Sequence, residues 1–349
     1  MGSDESQKAL DTIFSFVPTL VLKSALLLKI PDIIAREGPE ASLSLHEIAA
    51  LLPTQTPNLH YLSRILTYLS AKGIFIQSQA NNEPSYALTN TAKLFFVNEK
   101  NPFSLVPVAL MQSDEVLQKS WHYLHESVLH GCQAFEKAHG KDLWSYGKDD
   151  PHVNNIVNDC MASFTMMGMA QIVNCYEGFR EVQSMVDVGG GKGTALGQIV
   201  KAYPHIQGIN FDLPHVVATA PSIPGIQHVG GNMFESIPSA GAIFIKKVLI
   251  DWDDESCSKI FENCYKALPE NGRLILAEDV VQNHSTASES LEMVADLIMM
   301  AHANGGRERS EEEWKKMLHN SGFPLVKVVG LPGIFTKLKI VEAIKMKTE

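Results

Sequence analysis

Cysteine, positive charge and long apolar runs are all scarce in this 349-residue sequence. The five cysteines (Cys132, Cys160, Cys175, Cys257 and Cys264) are odd in number, scattered and never spaced CxxC. That pattern argues against a disulfide framework or a zinc site; no metal is expected, and a reducing location, the cytoplasm, is. Lys and Arg number 29 against 39 Asp and Glu, a net charge of −10. Binding a phosphate backbone needs clustered cations, so no nucleic-acid partner is expected. Because no apolar run reaches about eighteen residues, no membrane span is predicted. A basic-then-apolar leader is missing from the N-terminus, and no internal repeat or low-complexity tract is evident. What remains is an ordinary globular balance, 45% hydrophobic and 19% charged, in a chain long enough for two domains.

The chain is organised around Met185-Val186-Asp187-Val188-Gly189-Gly190-Gly191-Lys192-Gly193-Thr194. An apolar run reading as a buried parallel strand leads in, and an amphipathic stretch from Ala195 to Ala202 reads as a helix. Glycines between strand and helix let the backbone turn tightly and approach a ligand. About twenty residues further on, Asp212 ends a second apolar run, where an acid is placed to hydrogen-bond a ribose. These signals point to a nucleotide-like ligand on a Rossmann-type sheet. Strands are predicted at Met185–Val188, Gly208–Phe211, Gln227–Gly230, Ala242–Lys246, Arg273–Glu278 and Leu325–Val329. Helices are predicted at Glu255–Ala267 and Leu291–Ala303, so strand and helix alternate as in a doubly wound α/β domain. Gly333-Ile334-Phe335 and Leu338–Ala343 read as a terminal hairpin.

The N-terminal third has a different pattern. Apolar residues at helical spacing run from about Ser6 to Leu28, with a kink expected at Pro18. Ser44, with Glu47 three residues on, reads as a capping box opening a helix that Pro53 ends. Asn58–Lys72 reads as a second helix, followed by strands at Ile74–Ile76 and Tyr86–Leu88 around a polar loop. Helix, helix and two-stranded wing make a winged helix. The second helix offers only Arg64 and Lys72 as cations, so dimerisation is favoured over DNA reading. Asn155–Cys175 reads as a long methionine-rich helix.

Gly231-Asn232-Met233-Phe234, the segment from Phe244 to Glu255, and Gly305-Gly306-Arg307-Glu308-Arg309 with Glu311 to Trp314 follow the glycine loop in order. The whole series resembles the plant small-molecule O-methyltransferases of the caffeic-acid, isoflavone and benzylisoquinoline kind, which use S-adenosylmethionine (SAM). The resemblance covers nearly the whole chain. It implies a winged-helix-like dimerisation domain over residues 1–105 and a Rossmann-like SAM-binding domain with substrate-lining helices over 106–349. It also implies a homodimer and a small aromatic substrate. Carried over residue by residue, SAM or its product S-adenosylhomocysteine would meet Gly189, Gly191, Asp212, Leu213, Asn232, Met233 and Lys246. Met161, Phe164, Ile250, Met299 and His302 would line the substrate pocket. Asn232 departs from the family's acid, and Lys192 takes a position usually small or polar, where it meets either the cofactor carboxylate or water.

A larger departure is Ile250, which stands where the resembling family has its catalytic histidine; the matching glutamates, Glu278 and Glu308, would orient that histidine. Isoleucine accepts no proton, and general-base help contributes about a hundred- to ten-thousand-fold. Proximity to the sulfonium survives the change. Four readings follow. Methylation persists on an acceptor needing little base help. Or another base serves, with Asp251, Glu278, Glu308 and His302 as candidates. Or the site guides a non-methylating cyclisation or pericyclic step with the cofactor as an electrostatic element. Or the chain is a non-catalytic dimerising partner. The first is preferred.

Overall fold

The computed structural model describes residues 3–38, 40–80, 83–96, 104–281, 291–303, 306–331 and 338–346. The chain forms two units, Met1–Asp114 and Glu115–Glu349.

In the first unit, the leading apolar segment is broken into helices Ser3–Ile13 and Phe16–Leu27, bent by 44°. The break falls four residues before Pro18, whose ring crowds the Phe14 carbonyl and which has no N–H to offer it, so that carbonyl accepts the Val17 N–H at 3.0 Å in a tighter turn instead. No single helix among the described residues is long and apolar enough to cross a membrane; only this bent pair, taken together, has the length and composition. The expected capping box is present: Glu47 donates its N–H to Ser44 Oγ at 3.2 Å, and Ser44 donates its own to Glu47 Oε2 at 2.7 Å. It opens helix Leu45–Ala50, and Asn58 caps helix Leu59–Ala71. The wing has three strands among the described residues rather than two. β1 (Ser42–Ser44) pairs with β3 (Glu83–Leu88), which pairs with β2 (Phe75–Ala80). Three residues are too few to display an alternation, which hid β1 in the sequence. Helix Val106–Gln112 packs on Phe16–Leu27, and Lys23 donates to the Ser113 carbonyl at 2.7 Å, so this unit runs past residue 105.

The second unit is built on an eight-stranded sheet among the described residues. Its strands are β4 (Ser184–Val188), β5 (Gln207–Asp212), β6 (Ile226–Gly230), β7 (Ala242–Lys246), β8 (Arg273–Val281), β9 (Arg309–Ser310), β10 (Leu325–Gly330) and β11 (Leu338–Ile344). The order is β10-β11-β8-β7-β4-β5-β6, with β9 alongside the end of β8. The run from β6 to β8 is parallel, whereas β11 is antiparallel to both β8 and β10. The strand Leu338–Ile344 pairs with Leu325–Gly330, and the expected Gly333–Phe335 arm of the terminal hairpin lies outside the described residues.

Both faces of the sheet are buried, as a parallel sheet requires. Val186, Ile243, Ile245 and Leu276 meet helices Asp254–Ala267 and Glu311–Asn320 on one side. Met185, Phe244, Ile275 and Ile340 meet helices Pro151–Cys175 and Thr194–Ala202 on the other. From β4 the chain winds one way to β5 and β6 and then the other way to β7 and β8. The reversal opens a crevice at the carboxyl ends of β4 and β7.

Candidate active site

The glycine loop turns off the end of β4. Gly189, Gly191 and Gly193 have φ of +68°, +56° and +81°, values that side chains disfavour. Space is as limiting as conformation: a Cβ on Gly190 would lie 2.1 Å from Asn210 Oδ1 and 2.8 Å from Asp187 Oδ2. The loop is tied to β5 by Asp212, whose Oδ2 accepts the Gly191 N–H at 2.7 Å and whose Oδ1 accepts that of Leu213 at 2.7 Å. Burial raises the Asp212 pKa, and the two amides oppose the rise. Asn210, fully buried, donates to the Gly191 carbonyl at 2.9 Å and lies 3.0 Å from His228 Nδ1. Sequence reasoning did not single out Asn210. The signal was there, a polar residue inside an apolar strand.

Two opposite charges face each other at the ends of β4 and β7. Asp187 is 1% exposed, and its Oδ2 has no partner among the described residues. Burial pushes it up to about 7, against the attraction of Lys246. Burial likewise lowers Lys246, to about 8, while Glu278 and Asp187 pull the other way; its Nζ reaches Thr165 Oγ1 at 3.2 Å. An α-amino acid zwitterion would suit this pair, offering an ammonium to the unpartnered Asp187 oxygen and a carboxylate to Lys246. With close approach at the glycine loop and an acid at Asp212, these residues fit SAM. Met233 packs against the neighbouring core and its carbonyl accepts from Asn263 at 2.8 Å. Asn232 is engaged locally, accepting the Phe234 N–H at 3.0 Å and donating to Glu235 at 3.1 Å. Lys192 pairs with Asp159 of helix Pro151–Cys175, Nζ to Oδ1 2.5 Å.

The turn after β7 carries position 250. Lys247 starts it with φ +53° and is ion-paired with Asp279. Glu278 Oε1 accepts the N–H groups of Val248 at 3.1 Å and Leu249 at 3.2 Å. Arg309, fully buried, takes the carbonyls, reaching Leu249 at 3.0 Å and Trp252 at 2.7 Å, with Nε on Asp254 at 2.9 Å. Its guanidinium carbon lies 5.2 Å from the Trp314 ring. Gly306 closes on the same turn, where a Cβ would sit 2.2 Å from the Ile250 carbonyl oxygen. Ile250, Asp251 and Glu278 are thus brought together, with Glu308 on the strand-entry segment just after Gly306.

His302 is placed otherwise. Its Nδ1 lies 3.1 Å from the Ile298 carbonyl and its Nε2 3.1 Å from that of Leu117, with Trp121 and Phe135 against the ring. With a carbonyl at each nitrogen it serves as a helix tie. Met161 and Phe164 lie on the open face of helix Pro151–Cys175, 42% and 39% exposed, and Met299 is partly buried on helix Leu291–His302.

Residues 121–324 match the O-methyltransferase domain and residues 10–98 the O-methyltransferase dimerisation domain. The chain belongs to the O-methyltransferase family. Within it, the chain is 40% identical over 329 residues to (R,S)-reticuline 7-O-methyltransferase from Papaver somniferum, covering 92% of each. It is 41% identical over 337 residues to caffeic acid 3-O-methyltransferase from Medicago sativa, covering 93% of this chain and 92% of that protein. The fold matches that of human N-acetylserotonin methyltransferase in complex with SAM, with TM-score 0.84 at 19% identity over 99% of this chain and 100% of that one.

Proposed function

We propose that this family member transfers the methyl group of SAM to a small plant-type aromatic, phenolic or alkaloid, at an acceptor that needs little help in losing its proton. SAM supplies a methyl group activated on a sulfonium. The observation that carries the reading is a contrast within one crevice. Groups that suit the cofactor support it: Gly189, Gly191 and Asp212 at the loop, Asp187 and Lys246 at the strand ends. The residue at the position of the family's histidine is aliphatic, Ile250. Related sequences named for reticuline and caffeic acid methylation support the substrate class. An acidic phenol, an enol or an amine meets the requirement, because holding acceptor and sulfonium in line retains the proximity part of catalysis.

The homodimer belongs to the same reading. Leu10, Ile13, Phe14, Phe16 and Leu20 are exposed on the N-terminal helices, inside the stretch that matches the dimerisation domain. A contiguous apolar face of this kind is suited to a second copy.

Incubation with methyl-labelled SAM and phenols, enols and amines of graded acidity tests the reading. Label is expected on the more acidic acceptors. A product formed without label, yet requiring bound SAM, would replace it with cyclisation. An absence of any SAM binding would leave the dimerising role.

A further inference from the structure

The residue next to Ile250 carries a carboxylate, Asp251. Asp251 closes the short turn Leu249–Asp251, immediately after Ile250. The turn is held on both sides, its amides by Glu278 and its carbonyls by Arg309, and Gly306 packs on its back. Asp251 is therefore fixed in backbone position, with its own N–H on the Val248 carbonyl at 3.1 Å. No hydrogen bond or ion pair ties its carboxylate among the described residues, and the residue keeps part of its surface open. The other candidates are committed. Glu278 is 1% exposed and holds two amides, His302 faces two carbonyls, and Glu308 already has a partner.

We propose that Asp251 accepts the proton of the methyl-accepting group, positioned by Glu278 and the Arg309-held turn. This assignment rests on the methyl-transfer reading above and names the residue that completes it. As the acceptor oxygen forms its bond to the methyl carbon, the S–C bond of the donor breaks and the sulfonium becomes a neutral thioether. The acceptor's proton passes to the Asp251 carboxylate, which becomes a neutral acid. Glu278 and Lys247 are the charged groups that act on Asp251, the first raising its pKa and the second lowering it; Lys247 is itself neutralised by Asp279. Burial dominates and, with Glu278, pushes Asp251 up to about 8. Asp251 is thus a carboxylate, and competent as a base, only toward the alkaline side. A base of that strength has a proton to take from acceptors whose own pKa lies at or above about 8, since a more acidic one is already ionised wherever Asp251 is a carboxylate.

The test is the pH dependence of kcat/KM for labelled methyl transfer by the wild-type enzyme across phenols of graded acidity. The expected profile rises about tenfold per pH unit and levels near pH 8, at the same pH for every acceptor. A limb that tracks each phenol's own pKa would overturn the assignment. Asp251→Asn is expected to lower kcat by about a hundred- to ten-thousand-fold while calorimetry shows SAM affinity unchanged within about threefold. Unchanged kcat in that variant would contradict the assignment and leave the methyl-transfer reading standing. Glu278→Gln, which keeps an oxygen for the two amides, is expected to move the limb to lower pH; an unmoved limb counts against the pair. If Asp251→Asn fails to bind SAM, the wild-type limb decides. Wild-type enzyme that transfers no label to any acceptor overturns the function reading and this assignment together.

Discussion

Arg309 lies with its guanidinium against the carbonyl of Trp252, Nη2 to O 2.7 Å, across a separation of 57 residues in sequence. The same guanidinium holds the Leu249 carbonyl, so one buried side chain ties the carbonyls of the turn bearing Ile250 and Asp251. Removing it leaves the Trp252 carbonyl with only the weak Cys257 thiol and the Leu249 carbonyl with that thiol and the Trp252 N–H at 3.3 Å, and each lost charge-assisted bond costs about 1.5–3 kcal/mol. Arg309→Ala is expected to destabilise the protein by roughly 3–5 kcal/mol, counting the loss of packing on Trp314. Lysine cannot reproduce the planar fork, so Arg309→Lys should recover less than half of that. Urea denaturation of the three proteins gives the values directly.

Lys192 tests the cofactor assignment from the other side. Its ammonium is spent on Asp159, an ion pair whose carboxylate is half exposed. Such pairs contribute about 0.2–1 kcal/mol. Lys192→Thr is therefore expected to cost no more than about 1 kcal/mol of stability, with SAM affinity within about threefold of wild type by calorimetry. A tenfold or larger loss of affinity would mean that Lys192 holds the cofactor after all.

Much of this was legible because it is local. The glycine loop, the strand before it and the Ser44 cap each depend on residues within a few positions of one another, and Asp212 stands at the spacing of about twenty residues that the strand–loop–helix unit sets. What the sequence concealed was mostly long-range. The partner of β11 is set by β8, more than fifty residues earlier, where Lys339 pairs with Glu278. Arg309 and Gly306 read as part of a family motif, yet their work is on a turn near residue 250 that no spacing rule connects to them. His302 carried the right chemistry for a base, and only the placement of the Leu117 and Ile298 carbonyls shows it engaged elsewhere.

Buried carboxyls make the stability of the ligand-free protein depend on pH. Asp187 and Glu278 are each pushed up to about 7 and Asp251 to about 8, chiefly by burial. For an acid whose folded pKa lies above its unfolded value, stability is present at low pH and is lost as pH rises through the folded value. His139, His215 and His302 are shifted down by burial and act in the opposite sense, but only up to their unfolded range near 6.5. Lys246, lowered to about 8, begins to favour the folded state only above that pH. Between pH 7 and 8 the carboxyls therefore prevail, and stability should fall. Glu278→Gln should flatten that slope. Denaturant midpoints measured at intervals of half a pH unit would show it, and a rise across that window would contradict the assigned burial.

The central claim is that the crevice for SAM is whole while the imidazole that would serve it is replaced by Ile250. Its most direct test is Ile250→His, assayed by transfer of labelled methyl to a phenol of ordinary acidity near pH 7. The account predicts a gain in kcat/KM of at least about tenfold over wild type, because only about a tenth of Asp251 is ionised near pH 7, with SAM affinity unchanged. Equal rates for the two proteins, with SAM bound by both, would contradict it.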